Sequence, residues 1–405
     1  MKRNVNVASA KEMILSLSGC VSVETISIDT ALNRVIADDF IAHIAAPPFA
    51  RSAFDGYAFR SEDVAHASKQ SPVTLQIAEE VPAGHVPTVF VEQGHAAKIL
   101  TGAPIPDGVD TVIKFELTKF DDDSVTIFSP VPKYDNIVPA GEDYPEGKVL
   151  IKKGCVITPA VIGMIASQGL DTVEVYRRPR VSMINVGSEL VPLGESLSAA
   201  MIYNSSGYVL GGYFEDAGAD FHNAELVNDE PGDIIAAIES VYDDSDIIVT
   251  TGGASTGDYD CAYRVCEQMN GDVLFWKIAM RPGGAILAYT LRGKLILSLS
   301  GNPGAAVLGL LYVGIPYLKK LSGRVDVLYE EVEVLLREAL TKKNPKTRLV
   351  RGWLEIEHGK AYFAAEPNQR GGDLSSLIHC DLLVELPAGT PPLPAGACVK
   401  AYRIG

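Results

Sequence analysis

The first 180 residues alternate apolar and polar side chains mostly in the short period of β-strands. Residues 7–18 are the exception, since their apolar side chains recur at helical spacing and predict one amphipathic helix. Residues 47–140 are rich in Val, Ile, Thr, Pro and Gly with frequent turn signals, which is typical of a small all-β unit. Residues 149–176 predict a strand, a helix over 159–169 and a second strand over 172–175.

From residue 181 onward the pattern changes to apolar strands that alternate with helices. The predicted strands are 181–186, 221–227, 246–250, 273–278, 285–289 and 295–299, and the predicted helices are 204–217, 231–242, 259–269 and a long final helix. Such alternation favours a parallel sheet covered by helices on both faces. Ligands of these sheets bind beyond the carboxyl ends of the strands. Residues 324–405 read as strands again, which predicts a separate β unit.

Composition limits the classes of partner. The chain has 405 residues, 47% of them hydrophobic, and 51 acidic against 35 basic side chains give a formal net charge of −16. Such a surface repels nucleic acid and anionic membranes, so we expect neither as a partner. An anionic substrate would need local cations, backbone amides or a metal ion. The six cysteines lack a CxxC pair, which favours a reduced, cytoplasmic protein. The apolar run 305–318 is too short to span a bilayer.

Two glycine-rich turns are the first candidate chemistry. One follows the 246–250 strand and contains Gly252, Gly253, Ser255 and Thr256. The second follows the 295–299 strand and contains Asn302 and Pro303. Glycines allow close backbone approach to a ligand, and free amides at a helix start favour phosphate. The alternatives are ordinary helix caps and a tight strand-to-helix turn. Two such loops on one sheet favour a shared anion cleft.

Charged residues near predicted strand ends are the second candidate chemistry. Lys277 and Arg281 precede a Pro-Gly turn and could contact phosphate or an oxyanion, although a surface ion pair is the plainer alternative. Glu189 and Asp229 are acidic residues near the ends of strands, and paired carboxylates beside phosphate suit Mg²⁺. Asp260, at the start of the predicted 259–269 helix, could serve as a helix cap. Asp229 could equally cap the helix that begins near residue 231.

Eight segments together resemble the MoeA family of molybdopterin molybdenumtransferases, to which the gephyrin E domain is similar. The segments are SAFDGYAFR (52–60), KILTGAPIPDGVDTVIKFE (98–116), PAGEDYPEG (139–147), GSELV (187–191), IYNSSGYVL (202–210), TTGGASTGDYD (250–260), WKIAMRPGG (276–284) and SGNPGAAV (300–307). They occur in the family's order over nearly the whole chain. The resemblance implies insertion of molybdate into adenylylated molybdopterin, with Mg²⁺ and release of AMP, by a homodimer with a composite active site. It also implies a MogA-like molybdopterin adenylyltransferase as the upstream partner.

The resemblance further implies a fold and roles for particular residues. The expected fold is a three-layer α/β (MogA/MoaB-like) domain with β-rich N-terminal subdomains and a C-terminal β-barrel-like domain. The expected divisions are 1–19 (a helix on the α/β domain), 20–46 with 141–176 (a linking subdomain), 47–140, 177–325 and 326–405. Positions that match the family's binding or catalytic residues are Asp55, Thr101, Glu189, Asp229, Asp260, Lys277, Arg281 and Arg351. Asp229 and Asp260 are the expected metal ligands and, with Glu189, the expected catalytic residues.

Three departures from the family pattern remove donors from the presumed molybdate pocket. A lysine is missing within 281–285, a serine hydroxyl within 300–305 and another within 369–372. We expect Arg370 to enter the pocket together with Arg281 and Arg351 and to replace the missing donors, because a guanidinium offers a planar fork of donors. Two alternatives stay open here. One is a divergent relative that binds or hydrolyses an adenylate without molybdenum, and the other is a non-enzymatic dimeric scaffold.

Overall fold

The chain folds into two compact units. The computed structural model describes residues 2–253 and 261–404. The first unit consists of Met1–Asp38, Lys153–Gly163 and Asp171–Gly405, and the second of Asp39–Lys152 and Met164–Leu170. Most of the predicted candidate residues therefore belong to the first unit, whereas Asp55 and Thr101 belong to the second.

The helices and strands are numbered in chain order. The helices are α1 (Val7–Leu15), α2 (Pro159–Ser167), α3 (Ser206–Asp216), α4 (Pro231–Val241), α5 (Cys261–Gln268), α6 (Pro303–Gly309) and α7 (Ile315–Leu321). The strands up to residue 186 are β1 (Arg3–Val5), β2 (Val23–Ser27), β3 (Val35–Ile36), β4 (Phe40–Ile41), β5 (Arg51–Ser52), β6 (Gly56–Phe59), β7 (Val73–Val81), β8 (His95–Ile99), β9 (Thr111–Lys114), β10 (Thr118–Phe120), β11 (Ser124–Ile127), β12 (Ile137–Val138), β13 (Val149–Ile151), β14 (Thr172–Tyr176) and β15 (Arg180–Val186). The remaining strands are β16 (Leu190–Val191), β17 (Ile202–Tyr203), β18 (Asp220–Val227), β19 (Ile247–Thr251), β20 (Asp272–Ile278), β21 (Met280–Arg281), β22 (Leu287–Leu291), β23 (Lys294–Leu299), β24 (Glu331–Leu336), β25 (Thr347–Glu357), β26 (Lys360–Ala365), β27 (Leu382–Leu386) and β28 (Cys398–Arg403).

The main sheet of the first unit has seven strands in the order β1-β20-β22-β23-β19-β15-β18. The expectation of a fully parallel sheet is wrong at β22, which runs antiparallel to both neighbours. Only Arg292 and Gly293 separate β22 from β23, and both have positive φ angles of 47° and 88°. A two-residue turn of this kind makes a hairpin, whereas a parallel connection needs a long crossover. The N-terminal strand β1, which the sequence analysis did not predict, pairs in parallel with β20.

Alternating side chains of this sheet pack into two hydrophobic cores, which makes the domain three-layered. On one face, residues such as Met183 and Val249 pack with α1, α3, α6 and α7. On the other face, residues such as Ile184 and Ile248 pack with α4 and α5. The period of two that sends neighbouring residues to opposite faces explains why these strands read as continuous apolar runs. The predicted three-layer α/β domain is confirmed.

One long helical segment lies in the first of these cores. α6 continues through a five-residue π-helical segment, Leu310–Gly314, into α7. The combined helix Pro303–Leu321 is long and apolar enough to cross a membrane, so the expectation that this run is too short is wrong. Its most apolar window is 89% buried inside the protein. That burial is the property of a core helix.

The last 75 residues form a closed β-barrel. β25, β26, β24, β28 and β27 pair in that order, and β27 pairs back to β25. The short strand β21 adds to β25 in parallel, which joins the α/β domain to the barrel within the first unit. Residues such as Val350, Phe363 and Val384 fill the interior. The predicted β-barrel-like domain is confirmed.

The second unit is built on a six-stranded sheet with the order β10-β11-β7-β8-β6-β9. Its buried side chains include Tyr57, Phe59 and Val125. Two small two-stranded pairings, β12 with β5 and β13 with β4, complete this unit. The all-β character predicted for residues 47–140 is confirmed.

Candidate functional site

The two glycine-rich loops lie side by side at one edge of the main sheet. β19 and β23 are adjacent parallel strands, with Thr251 opposite Leu299. A Cβ atom built on Gly301 would lie 3.4 Å from the Cα of Gly252. The expected shared edge is therefore confirmed. Of the residues predicted there, Ser255, Thr256 and Asp260 lie outside the described part of the chain.

Gly252 is held in a conformation that other residues rarely adopt. Its φ angle is +88°, and an added Cβ would lie 2.0 Å from the carbonyl oxygen of Val186 on the neighbouring strand β15. Gly253 also has a positive φ angle, of 64°. The loop after β19 therefore crosses the end of β15 at a distance that only a glycine permits. This crossing fixes where the backbone amides of the loop stand.

Two predicted acidic residues follow the next two strands along the same edge. Glu189 follows β15 and Asp229 follows β18, and both are exposed. The Oδ2 atom of Asp229 accepts a long hydrogen bond of 3.4 Å from the backbone N–H of Ser188. The two carboxylates thus stand on adjacent loops. Among residues 2–253 and 261–404, no group of three His, Cys, Asp or Glu side chains is placed to hold a metal ion.

The predicted cation Lys277 lies at the end of β20, which points to the same edge. It has a φ angle of +70°, which is uncommon for a residue with a side chain. Its N–H donates to the carbonyl oxygen of Ile286 at 2.8 Å, and its ammonium lies 4.8 Å from the centre of the Trp276 ring. Strained backbone of this kind clusters at functional sites.

Arg351 is the most deeply buried charge of the described chain. Its side chain is fully buried on β25, and its Nη2 atom donates to the carbonyl oxygens of Arg370 at 3.0 Å and Asn368 at 3.4 Å. Its Nε and Nη1 atoms have no hydrogen-bond partner. Burial lowers the pKa of this guanidinium. Buried charges without partners are costly, so the N–H groups on these two nitrogen atoms are candidates to bind an anion.

Of the three altered family positions, those at Ala305 and Gly371 meet near Arg351. The N–H of Ala305 donates to the carbonyl oxygen of Gly371 at 2.7 Å, so the start of α6 touches the barrel loop directly. A Cβ on Gly371 would lie 3.2 Å from the Cβ of Ala305. A Cβ on Gly284 would lie 2.4 Å from the carbonyl oxygens of both Ile278 and Met280. At Gly284, Ala305 and Gly371, where the resemblance implies a lysine and two serines, the backbone packs closely, which these small residues allow.

Arg281 and Arg370 line an open cavity of about 860 Å³ on the barrel side of this junction. Arg351 does not line it, because its guanidinium lies behind the loop that carries Arg370. The structure thus brings together two of the three arginines expected in one pocket. Four further cations line the cavity and were not predicted from the sequence: Lys342, Lys343, Lys346 and Arg348. Four cations within seven residues of an acidic chain were the available signal.

In the second unit, Asp55 and Thr101 contact each other. The backbone N–H and the hydroxyl of Thr101 both donate to Oδ1 of Asp55 at 2.7 Å. These two hydrogen bonds, the hydroxyl's first, hold the pKa of the Asp55 carboxyl below its usual range. Asp55 is consequently an anion with one oxygen still available to a ligand.

Three family models cover most of the chain. The MoeA N-terminal region (domains I and II) matches residues 5–169, a model described as "probable molybdopterin binding domain" matches 182–320, and the MoeA C-terminal region (domain IV) matches 333–404. These matches follow the order of the resemblance found in the sequence.

Relatives and solved structures match over the full length. The chain is 33% identical to a molybdopterin molybdenumtransferase of Staphylococcus aureus over 399 residues, covering 98% of this chain and 95% of the relative. It is also 33% identical to the protein of that name from Bacillus subtilis, covering 94% and 90%. The crystal structure of the molybdopterin biosynthesis MoeA protein from Pyrococcus horikoshii has a TM-score of 0.87 at 28% identity and covers 99% of both chains. The chain therefore belongs to the MoeA family, the molybdopterin molybdenumtransferases, which are enzymes of molybdenum cofactor biosynthesis.

Proposed function

We propose that this chain transfers molybdenum from molybdate to adenylylated molybdopterin and releases AMP in a Mg²⁺-dependent reaction. The observation that carries the proposal is the buried guanidinium of Arg351, whose Nε and Nη1 atoms have no hydrogen-bond partner in the structure. It lies 3.2 Å, at Nη1, from the position that a Cβ on Gly304 would occupy. An oxyanion at this junction of α6 and the barrel would satisfy both groups.

The molybdate end of the site would then be held differently from the family pattern. Without the lysine and the two serines, the remaining donors of this junction are the Nε and Nη1 groups of Arg351. Each hydrogen bond to a charged group contributes roughly 1.5–3 kcal/mol. A fully desolvated guanidinium gives the upper part of that range, because no water competes with the anion. Arg351 therefore takes over binding that several side chains share in the family pattern.

The adenylate end would lie along the loops after β19, β15 and β18. The backbone amides of Gly252 and Gly253 would bind phosphate oxygens, as loops with close backbone approach do. Lys277 would add a cation at the end of β20, and Asn302 and Pro303 would set the start of α6 beside the same edge. The catalytic roles expected for Asp229, Asp260 and Glu189 stay predictions.

Asp229 and Glu189 fit the requirements of Mg²⁺. Both are exposed carboxylates on adjacent loops, and Mg²⁺ is commonly held by one or two carboxylates together with water and substrate phosphates. Asp229 and Asp260 are the proposed ligands, with Asp260 outside the described residues. When bound, the ion would neutralise charge on the phosphate that leaves with AMP. The backbone amides of Gly252 and Gly253 and the ammonium of Lys277 would orient that phosphate.

The proposed site also depends on the assembly of two chains. We place the protein in the cytoplasm as a homodimer, in which Asp55 and Thr101 of one chain complete the site of the other. The hydrogen bonds from Thr101 keep Asp55 ionised and fixed, which suits a group that must orient a substrate from a separate unit. A MogA-like molybdopterin adenylyltransferase would supply the adenylylated substrate. Full-length similarity does not favour the alternatives of a divergent adenylate hydrolase or a scaffold.

The test is AMP release from adenylylated molybdopterin by the purified protein, with and without molybdate. We expect release that requires both molybdate and Mg²⁺, and loss of this molybdate-dependent AMP release in an Arg351→Met variant of unchanged melting temperature. Lys400→Gln, which removes an exposed barrel cation paired with Glu331, is the matched control. Equal AMP release with and without molybdate would contradict molybdenum transfer and support the adenylate hydrolase instead.

A further inference from the structure

The cavity beside the junction has an unusual lining. Six of its lining residues are cations, Arg281, Lys342, Lys343, Lys346, Arg348 and Arg370, and none is acidic. The whole chain carries 51 acidic and 35 basic side chains, so this concentration runs against the composition. Within residues 2–253 and 261–404, none of the six forms an ion pair with a carboxylate.

Two of these cations are direct neighbours. β21 and β25 pair in parallel, and Arg281 lies opposite Arg348 in that register. Like charges directly opposite each other in a sheet destabilise it. Arginine does not relieve the repulsion by losing its proton, since it stays charged in proteins. Arg348 is also half-buried, and burial lowers the pKa of its guanidinium. An anion between the two side chains would offset the repulsion and the lost hydration.

The lysines face the cavity from an anchored loop. The segment 337–346 connects β24 and β25, and near its end Asn344 is buried, at 6% exposed. The carbonyl oxygen of Asn344 accepts a hydrogen bond of 2.7 Å from the N–H of Gly389. Leu340, earlier in the segment, exchanges two backbone hydrogen bonds with Leu393. The backbone that carries the three lysines is therefore anchored to the barrel at one side of the cavity.

The size and charge of the cavity decide the class of ligand. A volume of about 860 Å³ is far larger than a single tetrahedral oxyanion needs, and lies in the range of small organic ligands. Six positive charges match a ligand with several negative ones. We propose that this cavity is a second anion site that binds a compound with two or more linked phosphates. One phosphate lies between Arg281 and Arg348, and the next lies against Arg370 and the three lysines.

The experiment is calorimetric titration of the full chain with inorganic pyrophosphate, ADP and inorganic phosphate. We expect pyrophosphate to bind at least tenfold more tightly than phosphate, because only the linked anion reaches both groups of cations. Binding should weaken steeply with added salt. ADP tighter than pyrophosphate would identify an organic diphosphate as the ligand, and the reverse order a free inorganic one.

Variants test the assignment to this cavity. The exposed triple variant Lys342→Ala/Lys343→Ala/Lys346→Ala and the single variant Arg348→Gln should each lower pyrophosphate affinity at least tenfold. Lys400→Gln, on the same barrel but outside the cavity, should leave it unchanged. Asp55→Ala, in the second unit, should keep pyrophosphate binding even where it loses AMP release, which separates this site from the proposed transfer reaction. Equal affinity of the triple variant and the wild type, or no pyrophosphate binding to the wild type, would overturn the proposal.

Discussion

At the scale of single residues, glycine identity is required where backbones cross. Gly252→Ala should strongly destabilise the α/β domain, because the new Cβ would meet the Val186 carbonyl oxygen at 2.0 Å in a positive-φ conformation. Gly212→Ala is the control, since this exposed α3 glycine has nothing within 4 Å of its Cβ position. The control should gain about 0.5–1 kcal/mol through helix propensity. Urea unfolding measures both, and an unchanged midpoint for Gly252→Ala would contradict the geometry.

Another residue-scale prediction concerns the ion pair of Asp246. Arg177 donates from Nη1 at 2.6 Å and from Nη2 at 2.7 Å to the two carboxylate oxygens, and the N–H of Arg180 adds a bond of 2.7 Å. Asp246→Asn should cost about 2–4 kcal/mol of unfolding free energy, because it leaves a partly buried guanidinium without its anion. Asp244→Asn removes a carboxylate that is 91% exposed and should change stability little. A similar loss for both variants would assign the effect to net charge.

The same pair gives a pH dependence. Burial by itself would raise the pKa of Asp246, but the hydrogen bonds from Arg177 and Arg180 outweigh it and lower the pKa. A carboxyl with a lowered folded-state pKa binds fewer protons than in the unfolded chain. Its contribution is therefore complete above the unfolded value of about 3.9 and is lost as the pH falls through the folded value. As the pH falls below about 4, the unfolding free energies of wild type and Asp246→Asn should therefore converge.

At the scale of elements, hydrophobic period predicted most helices and strands of the α/β domain within a few residues of their observed bounds. It failed at β1, whose three residues are too few for a periodic signal, and at the direction of β22. The two-residue turn of Arg292 and Gly293 determines that β22 and β23 form a hairpin. It was not predicted because Arg-Gly differs from the Asn-Gly pair that is usual in such turns. Short elements therefore depend on tertiary pairing that local pattern does not contain.

An element-scale prediction concerns the end of α1. The ammonium of Lys320, in the last turn of α7, donates to the carbonyl oxygens of Leu15 and Leu17. Lys320→Met should leave these oxygens to water and fray the C-terminal turn, at a cost of about 1–2 kcal/mol. Hydrogen exchange of the amides in Val7–Leu15 should speed up, while Lys69→Met, an exposed surface change, leaves exchange unaltered. Unaltered exchange in Lys320→Met would show that core packing alone holds the helix.

At the scale of the whole molecule, the sequence predicted which loops lie at one edge of the sheet better than which side chains share a cavity. Topology makes the first possible, because parallel strands such as β19 and β23 end at one edge. The second depends on how the barrel loop with Gly371 packs against α6, a contact between residues 66 positions apart in the chain. Arg351 was expected in the open pocket with Arg370 and lies behind it instead. Long-range packing of this kind is absent from local sequence pattern.

The proposed composite homodimer leads to a prediction for the assembled protein. If Asp55 of one chain completes the site of the other, an Asp55→Ala chain and an Arg351→Met chain are each inactive as homodimers. Their heterodimer then contains one site with both defects and one with neither, so we expect about half of wild-type AMP release. Differently tagged chains, co-purified and confirmed by native mass spectrometry, supply the heterodimer. A heterodimer of Asp55→Ala with Lys400→Gln is the control, and should also retain about half of the activity, because only one of its sites lacks Asp55. An inactive Asp55→Ala/Arg351→Met heterodimer beside an active control would mean that each site is built from a single chain.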